Sequence, residues 1–441
     1  MHIRYASLLA AALTAALICG CGEKKTGEST SASAKTAQPV AIEMWHYFAG
    51  DHEKAIKELA DRFMKENPGI SVRTIYQGRP PELSQKLAGA LAASPPNNPA
   101  VSTVYETWTS DYVSKGYLDA AQDHFAGPDG MSPEEQDDII KGFREACSYD
   151  GKMVTLPFNK SIYVLYLNMD KLAKAGFTTA PKTLQELKDA VIKTTVEADG
   201  RVMTFGMGMM PTSEAFTTLF FASGGEYLNA EGKMAFDSEE GLAALGFLKE
   251  LHHPKHYLYV STDYMNMPFG NEQVAMFIYS SASFPYNEKS VGNKFKWEVA
   301  PIPGLGVKTP RYVMQGTNIG IFKNKSEAER AAAWKLVKFL ASTPSQVYWI
   351  KHTGYMPIRY SMLKNPEMME YLKNNPRYAA ASSLVLTNQG KQEPKLAVWD
   401  GIRENITQMV DQVLSKGADP KQQLAATQAK AQERVDRAAK R

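Results

Sequence analysis

The sequence predicts an α/β protein built from two domains. Its 441 residues are more than one hydrophobic core usually serves, since single cores stop growing at roughly 250–300 residues. Hydrophobic residues make up 44% of the chain and charged residues 22%, which is a globular composition. Strand-like runs alternate with amphipathic helical segments, and this order is typical of sheets with parallel strands.

The first part of the folded region alternates strand and helix. β-rich runs cover Val40–Tyr47, Ile70–Tyr76 and Ala100–Glu106. The first predicted helix, Glu53–Glu66, carries Ile56, Leu59, Phe63 and Met64 on one face, and Asn67, Pro68 and Gly69 end it. A second helix is expected over Pro81–Ala93.

A second alternation begins after Pro157, with strands predicted at Tyr163–Asn168 and Gln273–Tyr279. Capping boxes at Thr183 with Glu186 and at Ser326 with Glu329 predict two helix starts, and Pro344 is expected to end the second of these helices. Further helices are expected to begin at Ser238, with Leu242, Leu245 and Leu248 facing inward, and at Asp419. Between them, Ile402, Ile406, Met409 and Val413 share one helical face.

The first 20 residues have the layout of an export signal. Arg4 precedes the apolar run Ala6–Ile18, which is too short to span a bilayer as a stable helix. Cys21 follows the triplet Ile18, Cys19 and Gly20, and this motif resembles the lipobox of bacterial lipoproteins, whose cysteine is diacylated before cleavage. We therefore expect a signal peptide over residues 1–20 and a lipid on Cys21. The alternative is a plain signal peptide with a chance cysteine.

Residues 21–39 are expected to form a flexible, lipidated tether. From Gly22 to Pro39 the chain has no aromatic or large aliphatic side chain, so it cannot bury enough apolar surface to order itself. If Cys19 leaves with the signal and Cys21 is acylated, Cys147 has no cysteine to pair with. Its surroundings favour a small core residue over a reactive thiol.

Charge and motifs exclude several function classes. The net charge is +3, and no basic stripe indicates nucleic acid. There is no GxSxG motif and no Walker loop. His252, His253 and His256 could ligate a metal, but Pro254 interrupts the helical face and the HExxH glutamate is absent, which favours an exposed helix end. We expect no enzyme, no cofactor and no metal.

Aromatic and small polar residues gather near the predicted ends of the strands. In α/β sheets, ligands bind beyond the carboxyl ends of the strands, where such residues would line a crevice. Singly, each aromatic residue is more often part of a core. The group comprises Trp45, His46, Tyr47, Tyr105, Glu106, Trp108, Phe158, Asn159, Ser161, Ser280, Ser281, Ser283, Gly316, Thr317, Asn318, Tyr355, Trp399 and Arg403.

Two blocks carry a resemblance to a known family: LPFNKSIYVLYLNMDKLAKAGF from Leu156 and KHTGYMPI from Lys351. With IEMWHYFAG and FGNEQVAMFIYSSAS, they make the chain similar to the family 1 extracellular solute-binding proteins of ATP-driven importers. This is the group of the maltose-binding protein, and the nearest resemblance is to its glycerol-3-phosphate-binding branch. The resemblance covers nearly everything after the tether.

The resemblance implies a type II periplasmic-binding-protein fold, in which two α/β lobes exchange strands across a hinge and close on a ligand. The expected lobes are residues 40–158 plus 299–345, and 159–298 plus 346–441. Leu156–Lys160 and Ala300–Pro303 fall where the chain is expected to cross the hinge.

The resemblance also implies ligand contacts at Glu106, Ser161, Ser280, Gly316, Tyr355 and Arg403. Glu106 would accept hydrogen bonds from glycerol hydroxyls, and the others would donate to a phosphate, Gly316 through its backbone. The chain departs from the family where a tyrosine is replaced by Pro80 and where two wall tryptophans fall near Met209 and Thr212, which predicts a roomier pocket.

The resulting expectation is a monomeric, lipid-anchored binding protein of the cell envelope. It would capture glycerol-3-phosphate or a glycerophosphodiester and deliver it to an ABC permease in the cytoplasmic membrane. One alternative is a neutral sugar or oligosaccharide ligand, which the aromatic residues favour and Arg403 disfavours. A weaker alternative is an envelope hydrolase, which would need two placed carboxylates or a metal cluster.

Overall fold

A computed structural model describes residues 39–304, 311–387 and 389–440. The predicted signal peptide, Cys21 and all of the tether but Pro39 lie outside these residues. Among the described residues, no helix combines the length and apolarity needed to cross a bilayer.

Short strands and helices alternate up to one long strand, β7. From Val40 to Asn168 the elements are β1 (Val40–His46), α1 (Asp51–Glu66), β2 (Ile70–Tyr76), α2 (Pro80–Ala92), β3 (Val101–Val104), α3 (Glu106–Ser114), β4 (Leu118–Asp119), α4 (Pro133–Asp137), α5 (Lys141–Ala146), β5 (Ser148–Tyr149), β6 (Lys152–Met153) and β7 (Leu156–Asn168).

The middle of the chain runs from β7 to a second long strand, β13. Its elements are α6 (Met169–Lys174), α7 (Leu184–Thr194), β8 (Val196–Ala198), β9 (Arg201–Met209), α8 (Ser213–Ala222), α9 (Glu239–His252), β10 (Leu258–Val260), α10 (Asn266–Gly270), β11 (Val274–Ser280), α11 (Phe284–Val291), β12 (Trp297–Ala300) and β13 (Tyr312–Phe322).

The last part is mainly helical. It contains α12 (Glu327–Leu340), α13 (Thr343–Thr353), α14 (Pro366–Asn374), α15 (Pro376–Val385), β14 (Gly390–Lys391), α16 (Trp399–Lys416) and α17 (Pro420–Ala439).

Two long strands join the halves of one sheet, whose main order is β10-β9-β11-β7-β13-β3-β1-β2. On one side β1 runs parallel to β2 and β3, and on the other β9 runs parallel to β10 and β11. The first half of β7 pairs with β13, and its second half pairs with β11 and β12. The molecule is therefore a two-lobed α/β protein, which confirms the predicted fold class.

The apolar periodicity of the sequence predicts which helix faces are buried. In α1, Ile56, Leu59 and Phe63 are buried as predicted, while Met64 is only partly buried. All four residues of the predicted face of α16, from Ile402 to Val413, are buried. Fully burying such a side chain contributes about 1.5–3 kcal/mol, so these faces hold the helices on the sheet.

Three local predictions need correction. In α9 Ser238 is the N-cap and Leu245 and Leu248 are buried, but Leu242 is 42% exposed. Residues 105 and 106 do not extend β3, because Glu106 begins α3. Pro344 does not end α12, which stops at Leu340; it lies in the first turn of α13 instead, where its missing N–H costs no hydrogen bond.

The predicted capping boxes have different outcomes. At Ser326 both reciprocal hydrogen bonds with Glu329 are present. At Thr183 the side chain accepts from the backbone N–H of Glu186, but the Glu186 carboxylate accepts from the backbone N–H of Lys182 at 2.7 Å. Both helices nevertheless begin where predicted.

The lobe boundaries remain a prediction, and the packing of α13 against α1 is relevant to the one after residue 345. Helix α13, which the boundary after residue 345 assigns largely to the second lobe, packs against α1 of the first. The ring of Trp349 lies 4.9 Å from that of Phe48, and the guanidinium of Arg62 stacks over Tyr348. A later boundary would keep these contacts within one lobe.

Candidate functional site

A cavity of about 430 Å³, which we call the main cavity, lies at the carboxyl ends of β1, β2, β3 and β11. This is the position at which open α/β sheets bind ligands, and a volume of this size suits a small organic molecule. It is lined by Tyr47, Phe48, Ala49, His52, Tyr76, Arg79, Pro80, Tyr105, Ser161, Tyr264, Met265, Asn266, Tyr279, Ser280, Ala282, Ser283, Tyr286, Gln315, Gly316 and Tyr355.

Seven tyrosines dominate its walls. Burial raises the pKa of Tyr47 and of Tyr355 well above the usual range, so both remain neutral hydroxyls. The Tyr47 oxygen accepts a hydrogen bond from Asn159 Nδ2 at 2.7 Å, and the side chains of Tyr105 and Tyr355 also interact with this hydroxyl. Such rings offer flat apolar faces together with hydroxyl groups, a combination that suits polyols and sugars.

The floor is formed where β7 pairs with β13. Ser161 lies on β7, and Gln315 and Gly316 lie on β13. The side-chain Nε2 of Gln315 is buried and has no hydrogen-bond partner within the described residues, so it is a donor left for a ligand or water.

Glycine is required at position 316 by the close approach of β13 to β7. Its φ is +102°, and a Cβ would lie 1.9 Å from the carbonyl oxygen of Asn159 on β7. Only glycine tolerates both. A side chain at position 316 would therefore clash with β7 whether or not a ligand is bound.

A second, smaller cavity of about 30 Å³, which we call the annex, adjoins the main one. Tyr105 and Gln315 line both, so they form the boundary. The annex also contains Glu106, Glu393 and Arg403. The Nε of Arg403 donates to Glu393 Oε2 at 2.8 Å, and Nη2 donates to the same oxygen.

Glu106 is held by a buried lysine. Lys160 is 1% exposed, and its Nζ lies 2.7 Å from Glu106 Oε1 and 3.4 Å from the carbonyl oxygen of Gly316. Asn318 Nδ2 donates to the same carboxylate oxygen at 3.3 Å. Both donors use Oε1, so Oε2 is the oxygen of Glu106 that stays available as an acceptor.

The six predicted contact residues fall into two groups. Ser161, Ser280, Gly316 and Tyr355 line the main cavity, whereas Glu106 and Arg403 line the annex and are engaged in ion pairs. Their contacts with a ligand remain predictions.

Several wall residues were missed by sequence reasoning. Tyr76 ends the predicted strand β2 and could have been found by that position. Arg79, Tyr264, Tyr286 and Gln315 carried no local signal. Of these, Arg79 is the charged one: its guanidinium is largely exposed at the cavity edge, with Nε 3.6 Å from Glu82.

Much of the aromatic and polar group belongs to the core or to other walls. Seven of its members are fully buried and line neither cavity: His46, Phe158, Asn159, Ser281, Thr317, Asn318 and Trp399. Asn159 and Thr317 instead hydrogen-bond each other across β7 and β13. Met209 and Thr212, near which the resemblance implied two wall tryptophans, line a third small cavity next to Tyr279.

No cluster of three or more His, Cys, Asp or Glu side chains in the described part of the chain has a metal-binding arrangement. His252, His253 and His256 lie close together, with ring centroids 4.7–6.1 Å apart, and His253 Nε2 is 2.7 Å from the carbonyl oxygen of Leu414. Cys147 is buried, and burial raises the pKa of its thiol to about 12, as expected for a core cysteine.

Comparison with known proteins identifies the family to which this chain belongs. Residues 58–380 match the family model of bacterial extracellular solute-binding proteins. The sn-glycerol-3-phosphate-binding periplasmic protein UgpB of Salmonella typhimurium is 26% identical over 377 residues, covering 82% of this chain and 83% of that protein.

Solved structures show the same fold. UgpB from Mycobacterium tuberculosis, in complex with glycerophosphocholine, aligns with a TM-score of 0.79 at 23% identity, covering 90% of this chain and 99% of that one. The sugar-binding protein MalE from Xanthomonas citri aligns with a TM-score of 0.78 at 20% identity, covering 91% and 98%. The family match spans most of the folded chain, so this protein belongs to the bacterial extracellular solute-binding protein family.

Proposed function

We propose that the chain is the monomeric solute-binding component of an ATP-driven importer and that it captures glycerol-3-phosphate or a glycerophosphodiester without altering it chemically. The observation that carries the proposal is the polar, tyrosine-walled cavity at the strand ends, which holds four of the six predicted contacts beside an annex with the other two. The UgpB relatives, named for glycerol-3-phosphate, support the ligand class.

We propose a separate role for each predicted contact residue, donor to the phosphate or acceptor from the glycerol hydroxyls. Ser161, Ser280 and Tyr355 bear hydroxyls that donate to phosphate oxygens, as does Arg403. Ser280 Oγ already accepts from the backbone N–H of Ala282 at 3.2 Å, so its own proton is directed elsewhere. The available oxygen of Glu106 accepts from a glycerol hydroxyl.

Closure of the lobes would complete the site. We propose lobes at residues 40–158 plus 299–345 and 159–298 plus 346–441, with the hinge where β7 and β13 cross between them. Tyr76 and Tyr264 line the cavity from opposite halves of the sheet and are 42% and 63% exposed. Closing would bury such rim residues against the ligand.

We further propose that Cys21 anchors the mature protein to the cell envelope, beside a permease in the cytoplasmic membrane. A tether behind an anchor raises the effective concentration of the binding protein near its partner. Metabolic labelling with a fatty acid tests this: wild type should incorporate label and Cys21→Ser should not. Equal labelling of both would exclude acylation at this cysteine.

A neutral sugar is the second candidate ligand. The tyrosine-rich wall favours it, and so does the neutralisation of Arg403 by Glu393. Structures of the same fold that bind sugars, such as MalE, show that the architecture serves both ligand classes.

Two measurements distinguish the phosphate ligand from the sugar: calorimetry and thermal unfolding. Both use the protein purified from membranes in mild detergent. At a hundred times its Kd, a ligand stabilises the fold by about 2.7 kcal/mol. We expect this stabilisation with glycerol-3-phosphate or a glycerophosphodiester and not with maltodextrins. Arg403→Ala should abolish phosphate-ligand binding, whereas Arg201→Ala, on the exposed edge of β9, should not. Binding of maltodextrin alone would replace the proposal with the sugar candidate, and turnover of a ligand would refute the absence of chemistry.

A further inference from the structure

Arg403, the cation expected to meet a phosphate, already has an anionic partner. Two of its nitrogens, Nε and Nη2, donate to one oxygen of Glu393. The Glu393 side chain is only 8% exposed, and that of Arg403 28%. A buried pair of this geometry is a stable charge-assisted contact, so a ligand meets a neutral pair rather than a free guanidinium.

The second oxygen of Glu393, Oε1, is buried and makes no hydrogen bond of normal geometry among the described residues. Besides Arg403, the side chain of Trp399 interacts with this carboxylate; burial raises the pKa of Glu393, while Arg403 and Trp399 lower it. Glu393 lines the annex together with Arg403 and Gln315. An unpaired carboxylate oxygen accepts hydrogen bonds from hydroxyl or ammonium groups and repels another anionic oxygen.

Further carboxylates act on the same guanidinium. Burial opposes the charge of Arg403, yet Glu393, Glu214 and Asp400 together raise its pKa. Arg403 in turn lowers the pKa of Glu214 against the effect of burial, which keeps that carboxylate ionised. Glu106 is balanced by Lys160. The surroundings of Arg403 are therefore negative overall.

We propose that Glu393 is a specificity-determining residue that makes this site select phosphodiesters over phosphate monoesters. The inference rests on the proposed function. A phosphate monoester carries close to two negative charges at pH 7, because its second pKa is about 6. A diester has no second ionisable proton and carries one. Beside Glu393 the extra charge of the monoester is repelled, while the donors of Arg403 and Gln315 still serve a singly charged phosphate.

The test compares two ligands on two proteins by calorimetry at pH 7.5, using protein isolated from membranes in mild detergent. Wild type should bind glycerophosphocholine at least about tenfold more tightly than sn-glycerol-3-phosphate. Glu393→Gln keeps the size of the side chain and removes its charge, so it should lower this ratio about tenfold by improving monoester binding. Because the choline cation of the diester could also respond to the charge of Glu393, the affinity for sn-glycerol-3-phosphate itself must rise in Glu393→Gln; a lower ratio that comes only from weaker diester binding overturns the inference.

Controls keep the outcome interpretable. Glu433→Gln, on the exposed face of α17, should leave the ratio unchanged. If Glu393→Gln does not fold, Glu214→Gln tests the same effect, because it also removes a negative charge that acts on Arg403. It should shift the affinity ratio of the two ligands in the same direction by a smaller factor. An unchanged ratio in the folded variants, or a wild-type preference for the monoester, overturns the inference while leaving the proposed function intact. If wild type binds neither phosphate compound, both the inference and the proposed function are refuted.

Discussion

Lys160→Met is expected to cost about 3–5 kcal/mol of unfolding free energy, the usual result of breaking a buried ion pair by removing one partner. Lys160 is 1% exposed and its ammonium lies 2.7 Å from Glu106 Oε1. Methionine is similar in length and fills the same space, so the loss is electrostatic. Glu106, 16% exposed at its side chain, is left with a charge that solvent compensates poorly.

The expected shift in melting temperature follows from the size of the chain. At about 2.1 cal/mol/K per residue and roughly 400 folded residues, the unfolding entropy is about 0.85 kcal/mol/K, so the loss corresponds to about 4–6 °C. Differential scanning calorimetry measures it directly. Lys57→Met is the matched control, because Lys57 pairs with Glu53 at 2.7 Å on the surface and should cost less than about 1 kcal/mol.

A double variant separates the charge from the packing. In Lys160→Met/Glu106→Gln no unpaired carboxylate remains, so part of the stability should return. Two results would refute the reasoning: a melting temperature for Lys160→Met within about 1 °C of wild type, or a double variant no more stable than the single one.

Other predictions concern strain, thiol chemistry and pH. Gly316→Ala should destabilise the protein, since φ is +102° and the new Cβ would meet the carbonyl of Asn159, whereas Gly89→Ala, inside α2 with open space around it, should add about 0.5–1 kcal/mol in the same calorimetric assay. Cys147 should resist a thiol reagent at pH 8 until denaturant is added, because burial raises its pKa to about 12; rapid labelling of the native protein would contradict its core placement. Burial lowers the pKa of His46 to about 4. Between its unfolded value of about 6.5 and 4, the unfolded state therefore binds more protons, and acid should remove up to about 3 kcal/mol that is fully present above pH 6.5. Chemical denaturation from pH 7 to 4 should show this slope in wild type and a shallower one in His46→Asn; equal slopes would assign the loss to other groups.

Local sequence rules predicted the helices best where periodicity and caps agreed. In α16 all four predicted apolar residues are buried, because a complete 3.6-residue stripe leaves only one way to dock the helix. Leu242 was predicted to be buried and is exposed. A leucine at the edge of an apolar stripe is covered only where another element packs beside the helix. Glu106 was read as the end of a strand and begins a helix instead, since short runs do not distinguish the two.

The candidate site was only partly accessible to such reasoning. Residues following strands, such as Tyr47 and Ser280, were found because parallel strands end at one edge of a sheet. Tyr264 and Tyr286 come from loops and helices whose approach depends on the packing of the second lobe. No local pattern marks such positions.

By itself the sequence determined the α/β class, the alternation of elements and most buried helical faces, because hydrophobic period and capping act over a few residues. Only the tertiary structure decided which charges are free. Glu393 is 10 positions from Arg403, and Lys160 is 54 positions from Glu106, yet both pairs are within hydrogen-bonding distance. Electrostatic interaction depends on distance in space and on burial, and both are set by the pairing of β7 with β13 and the docking of α16.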